Sequence, residues 1–245
     1  MAELRYQSRP QTGSDVQIDQ GLRSYMLKVY NYMTIGLVIT GLAAWATFHA
    51  AVGSAGELTA IGQALFLSPL KWLVILAPLA MVMWLSFGVH RMSVGMAQGV
   101  FWLYAALVGV SLGSLGLIYT AASITQVFLI TAASFGAVSL YGYTTKRDLS
   151  GLGSFLLMGL FGIIIAMLVN FFLQSGPLGY ALSVMSVLVF TGLTAYDTQA
   201  IKEIYYENDD VAVMGRKAIM GALRLYLDFI NLFLSLLRLM GNRNS

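Results

Sequence analysis

The sequence predicts an all-α membrane protein with seven transmembrane helices. Three observations carry this prediction: 58% of the 245 residues are apolar, only 10% are charged, and the mean hydropathy is +0.75. A soluble domain has roughly 25% charged residues, because charged side chains cover its water-facing surface. The charged residues of this chain also cluster between long apolar windows, so a soluble or disordered protein is excluded.

Each apolar window is long enough to cross a bilayer as a helix. A hydrocarbon core of about 30 Å needs about 20 helical residues, and the windows contain 18 to 24 residues. Together they hold only three charged side chains, which are Asp197, Arg224 and Asp228. The windows are residues 29–52, 72–89, 97–119, 122–143, 152–173, 178–201 and 218–237.

The windows differ in ways that bear on their packing. The first follows 28 mostly polar residues, which is not typical of a cleavable signal peptide. The second is the shortest, and if it were re-entrant the orientation of every later helix would reverse. The third carries Gly109, Gly113 and Gly116, a spacing that lets helices approach closely inside the bundle or at a dimer interface. The first five windows contain no charged residue, whereas the last two contain all three.

The basic residues predict the orientation of the chain, because Lys and Arg accumulate on the cytoplasmic side of membrane proteins. Ten of them fall in the N-terminal segment and in the second, fourth and sixth loops, and three fall on the other side. We therefore expect one domain: a cytoplasmic tail at 1–28, a seven-helix transmembrane domain at 29–240, and a short tail at 241–245 across the membrane. The small net charge of +3 gives no indication of a nucleic-acid partner.

Two carboxylates within the last two windows are the strongest functional signal. An ionisable side chain inside a membrane is costly and usually functional. Asp197 lies about 6 Å and Asp228 about 15 Å from the cytoplasmic ends of their windows. Helix ends predicted by hydropathy can slide by several residues, so both acids can fall in the cytoplasmic half and meet. Arg224, Asp228, Asn231 and Ser235 follow each other at helical spacing on the seventh window, and Thr191, Thr194, Asp197 and Thr198 do so on the sixth. The alternative is that these polar groups only hold helices together.

A pair of carboxylates in this setting has a definite chemistry. Two carboxylates in contact in a poorly solvated site cannot both ionise cheaply, so they titrate as a unit. Ca²⁺ takes six to eight oxygen ligands, and two acids with nearby Asn and backbone oxygens supply a weak site. Weak binding suits an ion path, because the ion must also leave. The residues thus predict a low-affinity calcium site at Asp197 and Asp228, with Asn231, Thr194 and Tyr196 as supporting groups.

The run from Leu225 to Phe233, LYLDFINLF, resembles the signature of the Bax inhibitor-1 family, also called the transmembrane Bax inhibitor motif family. Tyr196 and Asp197 match the other acidic position of that family. The resemblance implies two layers of three helices around the C-terminal helix, and a pH-sensitive calcium leak governed by Asp197 and Asp228. It also implies a basic partner for the helix-six acid at the cytoplasmic end of helix two, where Arg91 is the candidate. Arg224 is not typical of the family; one turn before Asp228, it is expected to hold that carboxylate ionised.

Other chemistries fit the sequence less well, so we do not expect an enzyme or a tightly bound cofactor. Intramembrane aspartyl proteases have Gly-x-Gly-Asp at the second acid, whereas this chain has Leu225-Tyr226-Leu227-Asp228. A retinal protein needs a lysine in the middle of its seventh helix, and this window has none. The absence of cysteine and the presence of only two histidines exclude thiolate and multi-histidine metal sites.

A binding function is the alternative to the calcium leak. The resemblance implies that some bacterial members modulate membrane-bound quality-control proteases, and the N-terminal tail is the segment that would make such a contact. The expected partners are therefore the lipid bilayer, calcium ions and, in the alternative, a membrane protease, with no nucleic acid. The short C-terminal segment carries no endoplasmic-reticulum retention signal, which favours a bacterial plasma (inner) membrane with a cytoplasmic N-terminus.

Overall fold

Seven long helices form the structure, a computed structural model that describes residues 12–53 and 56–244, with side chains from residue 20 onward. All seven are long and apolar enough to cross a membrane. The predicted all-α fold with seven spans is thereby confirmed. The helices are α1 (Thr12–Ala51), α2 (Leu70–Gly88), α3 (Val94–Leu112), α4 (Ala121–Thr144), α5 (Ser150–Leu173), α6 (Gly176–Glu203) and α7 (Val211–Met240).

The first helix starts earlier than its predicted window. α1 begins at Thr12, and its membrane-competent part is Gln20–Ala51, so the end of the segment predicted as a tail is helical. The first 11 residues of that tail lie outside the described part of the chain. Hydropathy placed the boundary at residue 29 because polar and charged side chains precede it, but a helix can extend beyond the hydrocarbon layer into the headgroup region.

Side-chain caps set several helix starts and keep the loops short. The hydroxyls of Ser93, Thr120 and Ser175 accept hydrogen bonds from backbone N–H groups three residues later, at the starts of α3, α4 and α6. Each bond satisfies a donor that the helix itself leaves unpaired. α5 ends at Leu173, because the next residue, Gln174, has a left-handed φ of 50°. Ser175, the cap of α6, follows directly.

The helix contacts fall into two groups of three with α7 between them. α3 packs against α1 and α2, and α6 packs against α4 and α5, so the third helix of each group lies in the middle. α7 contacts α1, α3, α4 and α6, and 67% of its membrane window is buried, against 11% for α5. The C-terminal helix is therefore the core of the bundle, while the arrangement of the two groups as flat layers stays a prediction.

Glycines allow the closest helix approaches. A Cβ atom on Gly109 would clash with the Thr40 carbonyl oxygen, and Gly113 and Gly116 lie directly against Thr47 and Phe48. All three face α1, so the glycine spacing of the third window serves packing inside the bundle. Gly142 of α4 meets the Ala195 carbonyl of α6 in the same way. Such contacts hold helices together where lipid supplies no hydrophobic drive.

Polar groups pin the chain at both ends of the bundle. Gln199 of α6 accepts a hydrogen bond from the Leu149 N–H and donates one to the Arg147 carbonyl, both at 2.8 Å, which holds the loop before α5. At the opposite end, the segment after α7 folds back: Asn242 N–H donates to Ser123 Oγ at 2.8 Å, and Asn244 N–H donates to the Ile118 carbonyl at 2.9 Å.

Candidate functional site

The two intramembrane aspartates meet at the interface of α6 and α7. The side chains of Asp197 and Asp228 lie close enough to interact directly. Asp228 is buried, with only 4% of its surface exposed, and among the described residues its Oδ2 atom has no hydrogen-bond partner. Two carboxyl groups this close in a poorly solvated site cannot both ionise cheaply. The arrangement can therefore hold one proton between the two acids.

Arg224 contacts the pair from the side of Asp197. One of its guanidinium nitrogens lies 3.9 Å from Asp197 Oδ1. The Asp197 side chain is 17% exposed and the Arg224 side chain 53% exposed. The site is therefore accessible to solvent at the arginine and buried at Asp228. Arg224 was expected to act on Asp228, one turn later on the same helix, and Asp228 does lie within electrostatic range of it; the salt bridge of Arg224 among the described residues is to Asp197. The relative rotation of α6 and α7 brings the arginine to the acid of the other helix.

Arg91 lies apart from the site. It ends the short 3₁₀ turn that follows α2, and its side chain is exposed. Within the described residues it forms no ion pair, and the cation next to Asp197 is Arg224. The helix-two partner that the family resemblance implies is therefore not formed in this structure.

The three residues expected to support the pair make their contacts elsewhere. Asn231 donates its side-chain N–H to the Leu227 carbonyl of its own helix at 2.8 Å. Thr194 donates to the Phe190 carbonyl at 2.7 Å, also within its helix. The ring of Tyr196 packs on Gly153 of α5 so closely that a Cβ atom there would clash with it. Among the described residues, the side-chain hydrogen bonds of Asn231 and Thr194 thus stay within their own helices.

The structure adds a buried tyrosine to the site that the sequence pattern did not single out. Tyr25 of α1 is 2% exposed, and within the part of the chain that the structure describes its hydroxyl has no hydrogen-bond partner. It lies within electrostatic range of Arg224 and Asp209. Because Tyr25 falls in the segment predicted as a cytoplasmic tail, hydropathy gave no reason to place it in the core. The structure places Tyr25 on α1 because this helix begins at Thr12, and hydropathy did not indicate that early start.

A chain of hydroxyl groups joins three helices beside the pair. The Tyr30 hydroxyl lies 2.6 Å from Ser139 Oγ, which in turn lies 2.9 Å from Thr198 Oγ1. Thr198 also donates to the Thr194 carbonyl at 2.7 Å. These bonds connect α1, α4 and α6 and fix the orientation of the helix that carries Asp197. Sequence spacing placed Thr198 on the polar side of α6 but could not identify its partners on other helices.

The carboxyl pair provides few ligands for a cation. Among the described residues, no group of three or more His, Cys, Asp or Glu side chains is placed to hold a metal ion. Two carboxyl groups supply a fraction of the six to eight oxygens that Ca²⁺ takes, and water must supply most of the rest. The arrangement can attract a divalent cation once it is deprotonated, but it is not a closed cage.

Comparisons with known proteins identify relatives over nearly the whole chain. Residues 22–245 match the model of the family described as inhibitor of apoptosis-promoting Bax1. The inner membrane protein YbhL of Escherichia coli strain K12 is 47% identical over 237 residues, which cover 96% of this chain and 98% of the relative. The uncharacterized protein RP147 of Rickettsia prowazekii is 47% identical over 232 residues, 95% of each chain. The uncharacterized membrane protein SpyM3_0260 of Streptococcus pyogenes serotype M3 is 36% identical over 228 residues, which cover 93% of this chain and 96% of the relative.

Proposed function

The chain belongs to the Bax inhibitor-1 family, and from this premise we propose that it is a pH-sensitive calcium leak whose gate is the carboxyl pair Asp197 and Asp228. The observation that carries the proposal is the close approach of the two acids, beside Arg224, at the interface of α6 and the central helix. The names of relatives such as the inner membrane protein YbhL support a place in a bacterial inner membrane.

The shared proton closes the gate. With one proton between them, the two carboxyl groups carry a single negative charge and attract each other, which ties α6 to α7. Arg224 balances the remaining charge from the exposed side. The burial of Asp228 and the packing of the central helix on four neighbours support a closed bundle for this state.

Loss of the proton opens the gate. Two unit charges 4 Å apart repel each other by about 4 kcal/mol at an effective dielectric constant of 20. That energy is enough to shift a two-state equilibrium by a factor of several hundred, since 1.4 kcal/mol is tenfold. Separation of α6 from α7 exposes two carboxylates to a passing Ca²⁺ ion. A site with so few protein ligands releases the ion again, as a leak requires.

Purified protein in liposomes tests this function directly. Calcium entry is followed with an internal dye between pH 5 and pH 8, and flux should rise as the pair loses its proton. Asp197→Asn and Asp228→Asn should each flatten the pH dependence, because either change removes the shared titration. Asp148→Asn is the matched control, since Asp148 lies in the loop before α5, outside the membrane spans.

Two results would contradict the proposal. One is a normal pH response in both Asn variants at the pair. The other is the absence of calcium flux in the unmodified protein at every pH tested. In that second case, affinity capture from membranes distinguishes the alternative function, because a stoichiometric membrane protease would then be the expected partner.

A further inference from the structure

A long groove runs across the bundle on the face where α1 and α4 diverge. It has a volume of about 1710 Å³, and residues of α1, α4 and α7 line most of its length. Phe229, Ile230 and Phe233 of the central helix line it together with the two outer walls. On α1 the lining extends from Arg23 to His49, which is about 39 Å at 1.5 Å per residue. That length is close to the full thickness of a bilayer with its headgroups.

The two ends of this α1–α4 groove differ in charge. Arg23 is an exposed cation at one end, and no Asp or Glu side chain is among the lining residues. The other end carries His49, whose Nδ1 is paired with the Trp45 carbonyl at 2.9 Å. Between the ends the lining is mostly apolar. A ligand that matches this pattern is negatively charged at the Arg23 end and apolar along the rest of its length.

A hydrogen bond links the two outer walls near the Arg23 end. It joins Tyr30 of α1 to Ser139 of α4, and both residues line the groove. Gly136 lies one turn further along α4, and a Cβ atom at this position would meet no heavy atom within 4 Å. The open space next to Gly136 lies about 12 Å along α4 from the end of that helix at Thr144. An acyl chain reaches this depth of the bilayer.

We propose that the α1–α4 groove binds one anionic phospholipid, with its phosphate on Arg23 and an acyl chain along Gly136. The cationic end and the mostly apolar remainder of the groove match the charged headgroup and the acyl chains of such a lipid. A phosphate forms strong charge-assisted hydrogen bonds with an exposed guanidinium. The bound lipid would cover exposed apolar side chains on the two outer walls, among them Leu42, Trp45 and Phe128.

Native mass spectrometry of the purified full chain measures this binding without any ion flux. The probes are phosphatidylglycerol, which is anionic, and phosphatidylcholine, which is not. We expect phosphatidylglycerol to saturate at one molecule per chain and to bind more tightly than phosphatidylcholine. Arg23→Gln should weaken phosphatidylglycerol roughly tenfold, through loss of a charge-assisted contact. Gly136→Leu should weaken both lipids, because its side chain fills the open space.

Matched controls lie on faces that do not line the groove. Lys28→Gln removes an equivalent charge from α1, and Gly162→Leu makes the same substitution at an exposed glycine of α5 that also has open space around it. Both controls should bind phosphatidylglycerol like the unmodified chain. Circular dichroism checks that all four variants keep their helical content.

Three outcomes would overturn the proposal. Equal binding of phosphatidylglycerol in all variants would mean that the lipid surrounds the bundle without a defined site. Equal binding of the two lipids would remove the role of Arg23. A dimer of the chain that Gly136→Leu dissociates would mean that a second copy, rather than a lipid, occupies the groove.

Discussion

Removal of the Arg224 charge is the sharpest test of what determines the pH at which the proposed gate opens. In the closed pair, Arg224 lies 3.9 Å from Asp197. At this distance two unit charges attract each other by about 4 kcal/mol at an effective dielectric constant of 20, and by about 1 kcal/mol in water. The arginine side chain is 53% exposed, so solvent screens it and the lower end of that range applies. One pH unit corresponds to 1.36 kcal/mol, which gives an expected effect of about one pH unit.

The sign follows from the charge that appears when the gate opens. Proton loss from the pair creates a second negative charge, and Arg224 favours that charge. Without the arginine the same loss requires a higher pH. Arg224→Leu should therefore move the half-maximal pH of calcium entry into liposomes upward by about one unit. Arg224→Lys keeps the positive charge and should shift it less.

Two controls make this result specific to the site. Arg238→Leu is the same substitution on the same helix, but 14 residues away, about 21 Å along the axis, where salt screens the interaction. Arg91→Leu removes the basic residue that the family resemblance implied, which lies exposed and unpaired with Asp197 in the described chain. Both should leave the midpoint unchanged. An unchanged or lowered midpoint in Arg224→Leu, with helical content and flux retained, would refute the reasoning.

Three further predictions follow from the topology, the core and the loops. Reporter fusions should show the N-terminus in the cytoplasm and the C-terminus outside; a cytoplasmic signal after Ser245 would mean that one window, with 72–89 the first suspect, does not cross. Tyr226→Phe should lower the free energy of unfolding by about 1 kcal/mol, because it removes the 2.6 Å hydrogen bond between the Tyr226 hydroxyl and Thr40. Denaturant unfolding measures this change, with Tyr141→Phe at an exposed tyrosine as the control. Equal stability of the two variants would mean that the bond contributes nothing. The Ser150 hydroxyl and backbone N–H hold the pKa of the exposed Asp148 carboxyl below its ordinary value. Its contribution to stability is therefore present at neutral pH and is lost as the pH falls below about 3.9 and through the lowered value. Amide hydrogen exchange at the start of α5 should be faster in Asp148→Ala at pH 7, and a difference that persists at pH 2 would contradict this assignment.

The sequence by itself determined the number of spans and the residues that face inward. Seven apolar lengths near 20 residues are sufficient for a bilayer crossing, because every backbone polar group in lipid must be satisfied within a helix. The polar spacing on the sixth and seventh windows placed Asp197 and Asp228 on faces that avoid lipid. The run around Asp228 identified the family, and the match over residues 22–245 confirmed it.

Only the tertiary structure decided which side chains meet. The spacing along one helix indicated that Arg224 acts on Asp228, but it did not indicate that the guanidinium lies 3.9 Å from Asp197 of α6. The buried Tyr25 falls in the segment that hydropathy predicted as a tail. The side-chain hydrogen bonds of Asn231 and Thr194 stay within their own helices, and the Tyr196 ring packs on Gly153. Each of these outcomes depends on the rotation of one helix against another, which helical periodicity does not specify.

The α1–α4 groove is the clearest case of this limit. Its walls come from helices that are far apart in the sequence, and part of its lining belongs to the last helix of the chain. Hydropathy records only that each helix is apolar, and lipid is as apolar as the side chains that line the groove. Which apolar faces touch each other and which remain open is set by close packing at small residues such as Gly109 and Gly142, and that packing exists only between assembled helices.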